Sequence, residues 1–437
     1  MSETNDSKKN VDRRHFLGMG MGLGSGLALG YVLNAGGWLY AEEFGPGPGA
    51  KSDEERDAPE VKCAVIGLGE QGRALLAALA IVPGATIHTV CDSYPGIHKR
   101  ALDIAPKANA VLEYQKILDN KDIQAVWIAT PSHKHKEITL AALQAGKHVY
   151  CEAPLANTIE DARVIAKAAQ AADKQIFHAG LQERSNPQHH HVLQFFRTGA
   201  VGTIVQVRSQ WHKRTSWRRT APTNERQTAL NWRLSQKTSG GLMAEIGIHA
   251  VDVNNWFNKT LPVAVSGFGG IMGWTDGRDV QDTVQCLFQY PDNLSMIYDA
   301  TLVNSFDSAY ELFQGTEAAV MLRDTRAWMF KETDATALGW EVYAYKEKLG
   351  DETGIALVAD ATKILSQGKQ PGQNRDVDPK KDAIYCSCNA FLNSIRKGKK
   401  SGSGPLEGFQ ATVSALKANE AIQTGNKVVF QKEWFEI

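Results

Sequence analysis

The chain has 437 residues, 43% hydrophobic and 22% charged, enough to bury a large core and too many for one compact domain. Lys plus Arg and Asp plus Glu are equal at 48 each. No overall field therefore draws the chain to nucleic acid or an anionic membrane surface, and a small neutral or mildly acidic ligand is the better expectation. Six cysteines in this length are too scattered for a disulfide scaffold; Cys63, Cys91 and Cys151 lie in or beside apolar runs and read as buried thiols.

Asp12-Arg13-Arg14-His15-Phe16-Leu17 matches the twin-arginine pattern, and residues 18–41 follow as an uncharged, glycine-rich stretch of moderate hydrophobicity. Residues 1–41 read as an export leader, with the twin-arginine machinery as partner and a periplasmic or exported destination. No clean A-x-A site is present. Leu39-Tyr40-Ala41 is a weak candidate, and an uncleaved leader would remain as a membrane tether. Residues 42–60 turn to Gly, Pro and charge and read as a linker.

Residues 61–180 carry the pattern of a doubly wound parallel sheet. The apolar run Lys62-Cys63-Ala64-Val65-Ile66 leads into Gly67-Leu68-Gly69-Glu70-Gln71-Gly72 and then a helical pattern, the order a dinucleotide fingerprint requires. Gly67 permits the tight turn, Gly69 the approach of a pyrophosphate, and Gly72 close packing of helix on strand. Gly67, Gly69, Gln71 and Gly72 are the expected cofactor residues of this turn. A second strand, 86–91, ends at Asp92, placed to accept from the ribose hydroxyls and to repel a 2′-phosphate, so NAD is favoured over NADP. Lys99 and Arg100 keep NADP as the lesser option. Helix and strand then alternate through strands at 125–129, 148–151 and 175–178. Their carboxyl ends make Thr130-Pro131-Ser132 and Glu152-Ala153-Pro154 the rim loops of a nicotinamide site.

Taken together, GLGEQG, IATPSHKHKE with His135 four residues after Pro131, AGKHVYCEAPLA and GGLMAEIGIHAVDV resemble the glucose-fructose oxidoreductase, inositol dehydrogenase and MocA family over 61 to about 330. The resemblance implies a C-terminal α+β domain whose open, mostly antiparallel sheet mediates homo-oligomerisation and whose near face covers the nicotinamide. It puts Thr130, Pro131, His135 and Glu152 at the cofactor, and Glu152, Glu245 and His249 at the reacting centre. Two departures stand out. The family's Glu-Lys-Pro reads Glu152-Ala153-Pro154, without the lysine that assists proton transfer, and its usual Asp four residues before the active-site histidine is Glu245.

Residues 181–400 read as the α+β domain, with strands at 204–212, 263–274, 280–290, 294–302 and 310–323 and a hairpin turn at Pro291-Asp292-Asn293. His189-His190-His191 cannot converge on one ion, because successive helical residues point about 100° apart, and a solvated helix face is expected; no metal site is assigned. Between the first two strands, Trp211, Trp217 and Trp232 interleave with Arg214, Arg218, Arg219 and Arg233. Indole faces pack on sugar rings and arginine forks bind hydroxyls or carboxylates. Trp211, Arg214, Trp217, Arg218, Trp232 and Arg233 are thus substrate-binding candidates, with an oligomer interface as the equal alternative.

After Gly240-Gly241, Glu245, His249 and Asp252 fall at spacings that share one helix face, where a neutral His249 takes a hydroxyl proton and Glu245 or Asp252 sets its tautomer. Residues 334–381 read as an excursion over the sheet. Helices at 382–396 and 406–424 are expected to pack back on the nucleotide domain, with 401–437 as a separate closing segment.

Three functions remain open. The first is an exported NAD(P)-dependent oxidoreductase acting on a sugar, polyol or glycoside with tightly held cofactor, since no free nicotinamide pool exists outside the inner membrane. The second is redox-neutral glycoside cleavage through a transient 3-keto intermediate. The third is a non-catalytic sugar- or NAD-binding protein.

Overall fold

The computed structural model describes residues 58–344, 346–357 and 382–437. The leader and nearly all of the linker lie outside the described residues. β1 (Val61–Ile66) is apolar almost throughout because both its faces are covered. The alternation continues through α1 (Glu70–Leu79), β2 (Ala85–Cys91), α2 (His98–Leu102), β3 (Asn109–Val111), α3 (Gln115–Asp119), β4 (Ala125–Ile128), α4 (His135–Gln144), β5 (His148–Glu152), α5 (Ile159–Ala171) and β6 (Phe177–Gly180). The strands form a parallel six-stranded sheet in the order β3-β2-β1-β4-β5-β6, the dinucleotide-binding arrangement. Edge strand β3 escapes a sequence reading because Asn109 and Ala110 are exposed and show no apolar alternation.

The chain then forms α6 (Pro187–Arg197), β7 (Ile204–His212), α7 (Asn224–Leu230), α8 (Ile248–Asn258), β8 (Ala264–Gly270), β9 (Thr283–Gln289) and β10 (Ser295–Thr301). Next come β11 (Ala309–Gly315), β12 (Ala318–Arg323), β13 (Arg326–Lys331), β14 (Lys346–Leu349), β15 (Glu352–Leu357), α9 (Ala383–Lys397), α10 (Pro405–Thr424) and β16 (Val428–Val429). Among the described residues, ten strands make a second sheet, β14-β15-β13-β12-β11-β7-β10-β9-β8-β16. It is antiparallel except where β7 and β10 lie parallel, a pairing made by the long excursion between them. The expected architecture, a doubly wound parallel sheet followed by an open, mostly antiparallel one, is what the chain adopts.

Several elements differ from expectation. The single strand expected over 310–323 is a hairpin, β11 and β12: its turn begins at Gly315, where a Cβ would stand 2.1 Å from the Val201 carbonyl oxygen. Only Thr316 and Glu317 separate the two strands, and so short a turn, with no Pro or Asn-Gly signal, reads as continuous strand. Part of the 334–381 excursion does not lie over the sheet but adds β14 and β15 to its edge; residues 358–381 lie outside the described residues. The expected packing of the closing helices on the nucleotide domain is present in α9, which packs on α1 and sends Phe391 edge-on against Trp127 of β4, ring centres 5.1 Å apart. The α10 helix joins the halves: it touches α5, α8 and β8, and Gly408 lets it cross close to Ala179 of β6.

The histidine run is not a solvated face. His189 is buried with Nδ1 3.1 Å from a Glu183 oxygen and Nε2 3.2 Å from a Glu311 oxygen, while His190 Nε2 lies 2.7 Å from the Arg184 carbonyl. Burial alone lowers a histidine pKa, but the two carboxylates outweigh it at His189 and raise it. Among the described residues, no cluster of three or more His, Cys, Asp or Glu side chains is arranged to hold a metal ion, and no helix is long and apolar enough to cross a membrane.

Candidate active site

The glycine turn is set by close approach. Gly67 has φ +91°, and a Cβ there would stand 2.6 Å from the Ala129 carbonyl oxygen; at Gly72 it would stand 1.8 Å from the Gly67 oxygen. Over Gly69 the space is open, and as N-cap of α1 it offers no side-chain cap. The first N–H groups of the helix are thus left for an anion. Asp92 accepts from the backbone N–H groups of Leu68 and Tyr94, each at 2.9 Å, which locks β2 to the turn and leaves each oxygen a second lone pair for a ribose hydroxyl. The Thr130 hydroxyl, on the rim loop, is buried without a partner. Open glycine, uncapped helix and orphaned hydroxyl fit a bound dinucleotide.

Below the rim, Glu152 ends β5 and is buried. Its carboxylate accepts from Gln71 Nε2 at 2.8 Å and from Gln182 Nε2 at 3.0 and 3.2 Å. Gly180 makes the room: a Cβ there would stand 2.4 Å from Glu152 Oε2. Burial pushes the Glu152 pKa from the ordinary 4.5 to about 7, against the pull of these donors and of Arg233.

From the other domain, Glu245 sits in a π-helical turn, Met243–Gly247, just before α8. Its Oε1 accepts from the hydroxyls of Ser132 (3.1 Å) and Ser239 (3.0 Å), and Arg233 Nε stands 3.7 Å from its Oε2. Burial raises the Glu245 pKa, with Arg233 and the serines opposing. The Arg233 guanidinium lies 4.7 Å from the Trp232 ring centre and 5.8 Å from that of Trp217. Trp217 holds φ 60°, a left-handed conformation uncommon for a bulky residue. Two buried carboxyl groups, one from each domain, thus share one arginine at the carboxyl edge of the parallel sheet.

Residues 61–180 match the family model described as oxidoreductase family, NAD-binding Rossmann fold, and 189–320 match the GFO/IDH/MocA C-terminal domain. The chain belongs to the Gfo/Idh/MocA oxidoreductase family. It is 30% identical over 291 residues to the levoglucosan dehydrogenase of Pseudarthrobacter phenanthrenivorans, an alignment covering 59% of this chain and 72% of that protein. It is 29% identical over 237 residues to a glycosyl hydrolase family 109 protein of Shewanella baltica, covering 48% of this chain and half of that one. A solved levoglucosan dehydrogenase, in complex with NADH and levoglucosan, superposes with a TM-score of 0.69 at 20% identity over 85% of this chain and 99% of that one, a likeness of fold.

Membership makes this an NAD-binding enzyme, and the structure distributes the expected site residues unevenly. Gly67, Gly69 and Gly72 form the glycine turn, Asp92 is bonded to it, and Thr130 and Pro131 lie in the rim loop. Gln71 instead reaches across to Glu152. His135 has both ring nitrogens facing backbone carbonyls, Pro154 at 3.0 Å and Thr130 at 2.9 Å. Burial presses its pKa to about 4, so the neutral ring donates to one of them and fastens the two rim loops together.

His249, at the start of α8, is half-buried, and burial holds its pKa below the usual 6.5 although Glu183 and Asp252 pull the other way. Neither Glu245 nor Asp252 hydrogen-bonds it, contrary to the shared-face expectation. The π turn shifts the register, and Asp252 is taken by a bidentate pair with Arg184 at 2.8 and 2.9 Å.

The tryptophan and arginine segment divides. Trp217, Trp232 and Arg233 gather at Glu245. Trp211 belongs to β7, paired with Ala300 and Ala309 of the flanking strands. Arg214 bonds the Val303 carbonyl at 2.9 Å and covers Trp274, and Arg218 is tied to Asp276. These three do not reach the site, because β7 carries the chain away before the segment returns. Between them the segment straps the nucleotide groove: Arg219 pairs with Glu70 at 3.1 Å, and the Arg226 guanidinium lies 4.2 Å from the Tyr94 ring centre, beside Asp92. Sequence reading gave no role to Gln182, Ser239, Arg226 or Tyr94. Gln182 alone carried a signal, since it follows the carboxyl end of β6, the edge at which such sheets bind ligands.

Proposed function

We propose that the chain is an exported oxidoreductase that acts on a hydroxyl of a sugar, polyol or glycoside and keeps its NAD bound through turnover. The observation that carries this reading is the gathering of Trp217, Trp232 and Arg233 against Glu245 at the dinucleotide edge: indole faces suit pyranose C–H faces, and the charged fork suits sugar oxygens. Bound NAD supplies hydride-transfer chemistry. His249, unprotonated at neutral pH, takes the hydroxyl proton. Glu152, with a pKa of about 7, is able to hold or release a proton, and the Gln71 and Gln182 amides fix its orientation. The strap from Arg219 to Arg226 hinders escape of the dinucleotide, as export with a loaded cofactor requires. The twin-arginine pattern at Arg13-Arg14 supports export.

A second reading, redox-neutral glycoside cleavage, draws on Ala153 in place of the usual lysine and on the near-neutral pKa of Glu152, which suits a group that both takes and returns protons. The likeness to a glycosyl hydrolase family 109 protein agrees with it. The open sheet face, with Phe268 at 74% exposure and Leu287 at 52%, supports a homo-oligomer.

The test is incubation of purified, cofactor-loaded protein with free sugars, polyols and aryl glycosides while nicotinamide absorbance is followed. Reduction of the bound cofactor by a free sugar or polyol supports the first reading, and aglycone release without added NAD the second. Silence with every substrate overturns both. For export, Arg13→Lys with Arg14→Lys should leave the protein in the cytoplasm; undiminished export of that variant refutes the leader assignment.

A further inference from the structure

Arg233 differs from the arginines around it. Arg184 is bonded to Asp252, Arg219 to Glu70, Arg218 and Arg278 to Asp276, and Arg214 to a backbone carbonyl. Arg233 makes no hydrogen bond among the described residues. Its nearest anion is Glu245, at 3.7 Å from Nε, which leaves both terminal amino groups without an acceptor. Two indole rings flank the guanidinium, and the side chain is 38% exposed. A planar fork held by aromatic faces, its N–H groups open and two buried carboxyl groups nearby, has its missing acceptor in a ligand oxygen.

We infer that Arg233 is a catalytic residue that holds the reacting oxygen of the substrate as that oxygen becomes anionic. The inference rests on the oxidoreductase reading above. When the substrate O–H bond breaks, the proton passes to His249 and the bonding electron pair stays on oxygen as an alkoxide. Arg233 donates to it from the two unpaired amino groups. Glu245, fastened by Ser132 and Ser239, sets the direction of the fork. The usual lysine position is Ala153, so the cation at this reaction centre comes from the second domain.

The experiment compares wild type, Arg233→Ala and Arg233→Lys as NAD-loaded protein in single-turnover reduction by the sugar, polyol or glycoside that proves active. Arg233→Ala should keep its NAD and slow by about 100-fold or more, the scale seen when a preorganised oxyanion donor is removed. Added guanidinium should restore at least about tenfold of that loss, which a merely structural residue does not allow. Arg233→Lys should keep part of the rate and lose it near pH 10, where lysine gives up its proton, while wild type does not. A rate for Arg233→Ala within about threefold of wild type overturns the inference, as does loss of rate without guanidinium rescue. Gluconate, a polyol carboxylate, reads the fork without turnover: calorimetry should show binding at least about tenfold weaker to Arg233→Ala, and equal or absent binding by the two proteins overturns the inference. A wild type that binds gluconate through Arg233 but turns over nothing sinks the oxidoreductase reading and the catalytic role with it, and leaves the fork a site for ligand oxygens only.

Discussion

Gln71, in the first turn of α1, donates at 2.8 Å to Glu152 at the end of β5 and so ties the glycine turn to a buried carboxyl group of the candidate site. Glu152 has its pKa raised from 4.5 to about 7 by burial, so the folded chain binds a proton that the unfolded chain has lost over that interval. Stability therefore falls as pH rises from about 4.5 to 7 on account of this group, by up to roughly 3 kcal/mol. Glu152→Gln should remove this slope and be relatively more stable than wild type at pH 8 than at pH 5. Denaturant titrations at the two pH values check it; parallel pH dependence in both proteins contradicts it.

The strap contacts are exposed, 52% and 73% for the Arg219–Glu70 pair, and each such contact is worth about 0.5 to 1 kcal/mol at most. Arg219→Ala combined with Arg226→Ala should therefore leave the fold intact and speed NAD release by about three- to tenfold. Stopped-flow displacement of the bound dinucleotide measures it, and an unchanged release rate means the strap does not retain the cofactor.

Arg184 and Asp252 are 12% and 3% exposed and bond through both forks. Asp252→Asn keeps the shape but strands a buried guanidinium, which should cost about 3 to 5 kcal/mol of unfolding free energy. Equilibrium denaturation reads this directly, and a loss below about 1 kcal/mol would place the pair in the exposed class.

At Gly72 a methyl group would stand 1.8 Å from the Gly67 carbonyl oxygen. Gly72→Ala should push α1 off the turn and purify without bound NAD. Absorbance of the cofactor released on denaturation gives the occupancy, and full loading would show that the turn can yield.

How far the sequence revealed the site depended on whether the cause was local. The glycine turn and Asp92 were legible because tight turns and strand ends impose residue types at short range. The function of His135 was not, since its partners, the Thr130 and Pro154 carbonyls, are brought to it only when β4 and β5 pair side by side. The shared face of Glu245, His249 and Asp252 followed from an ideal helix, but Glu245 lies in a π turn and Asp252 is taken by Arg184.

By itself the sequence determined the two-sheet architecture, the dinucleotide turn and the position of the rim loops, because strand alternation and glycine conformation are properties of neighbouring residues. Only the tertiary structure decided which of six tryptophans and arginines gather by Glu245. β7 carries Trp211 into the sheet, contacts with Asp276 and Val303 hold Arg218 and Arg214 aside, and the return of the chain sets Arg233 beside Glu245. Those outcomes depend on where distant segments meet, which spacing along a chain does not encode.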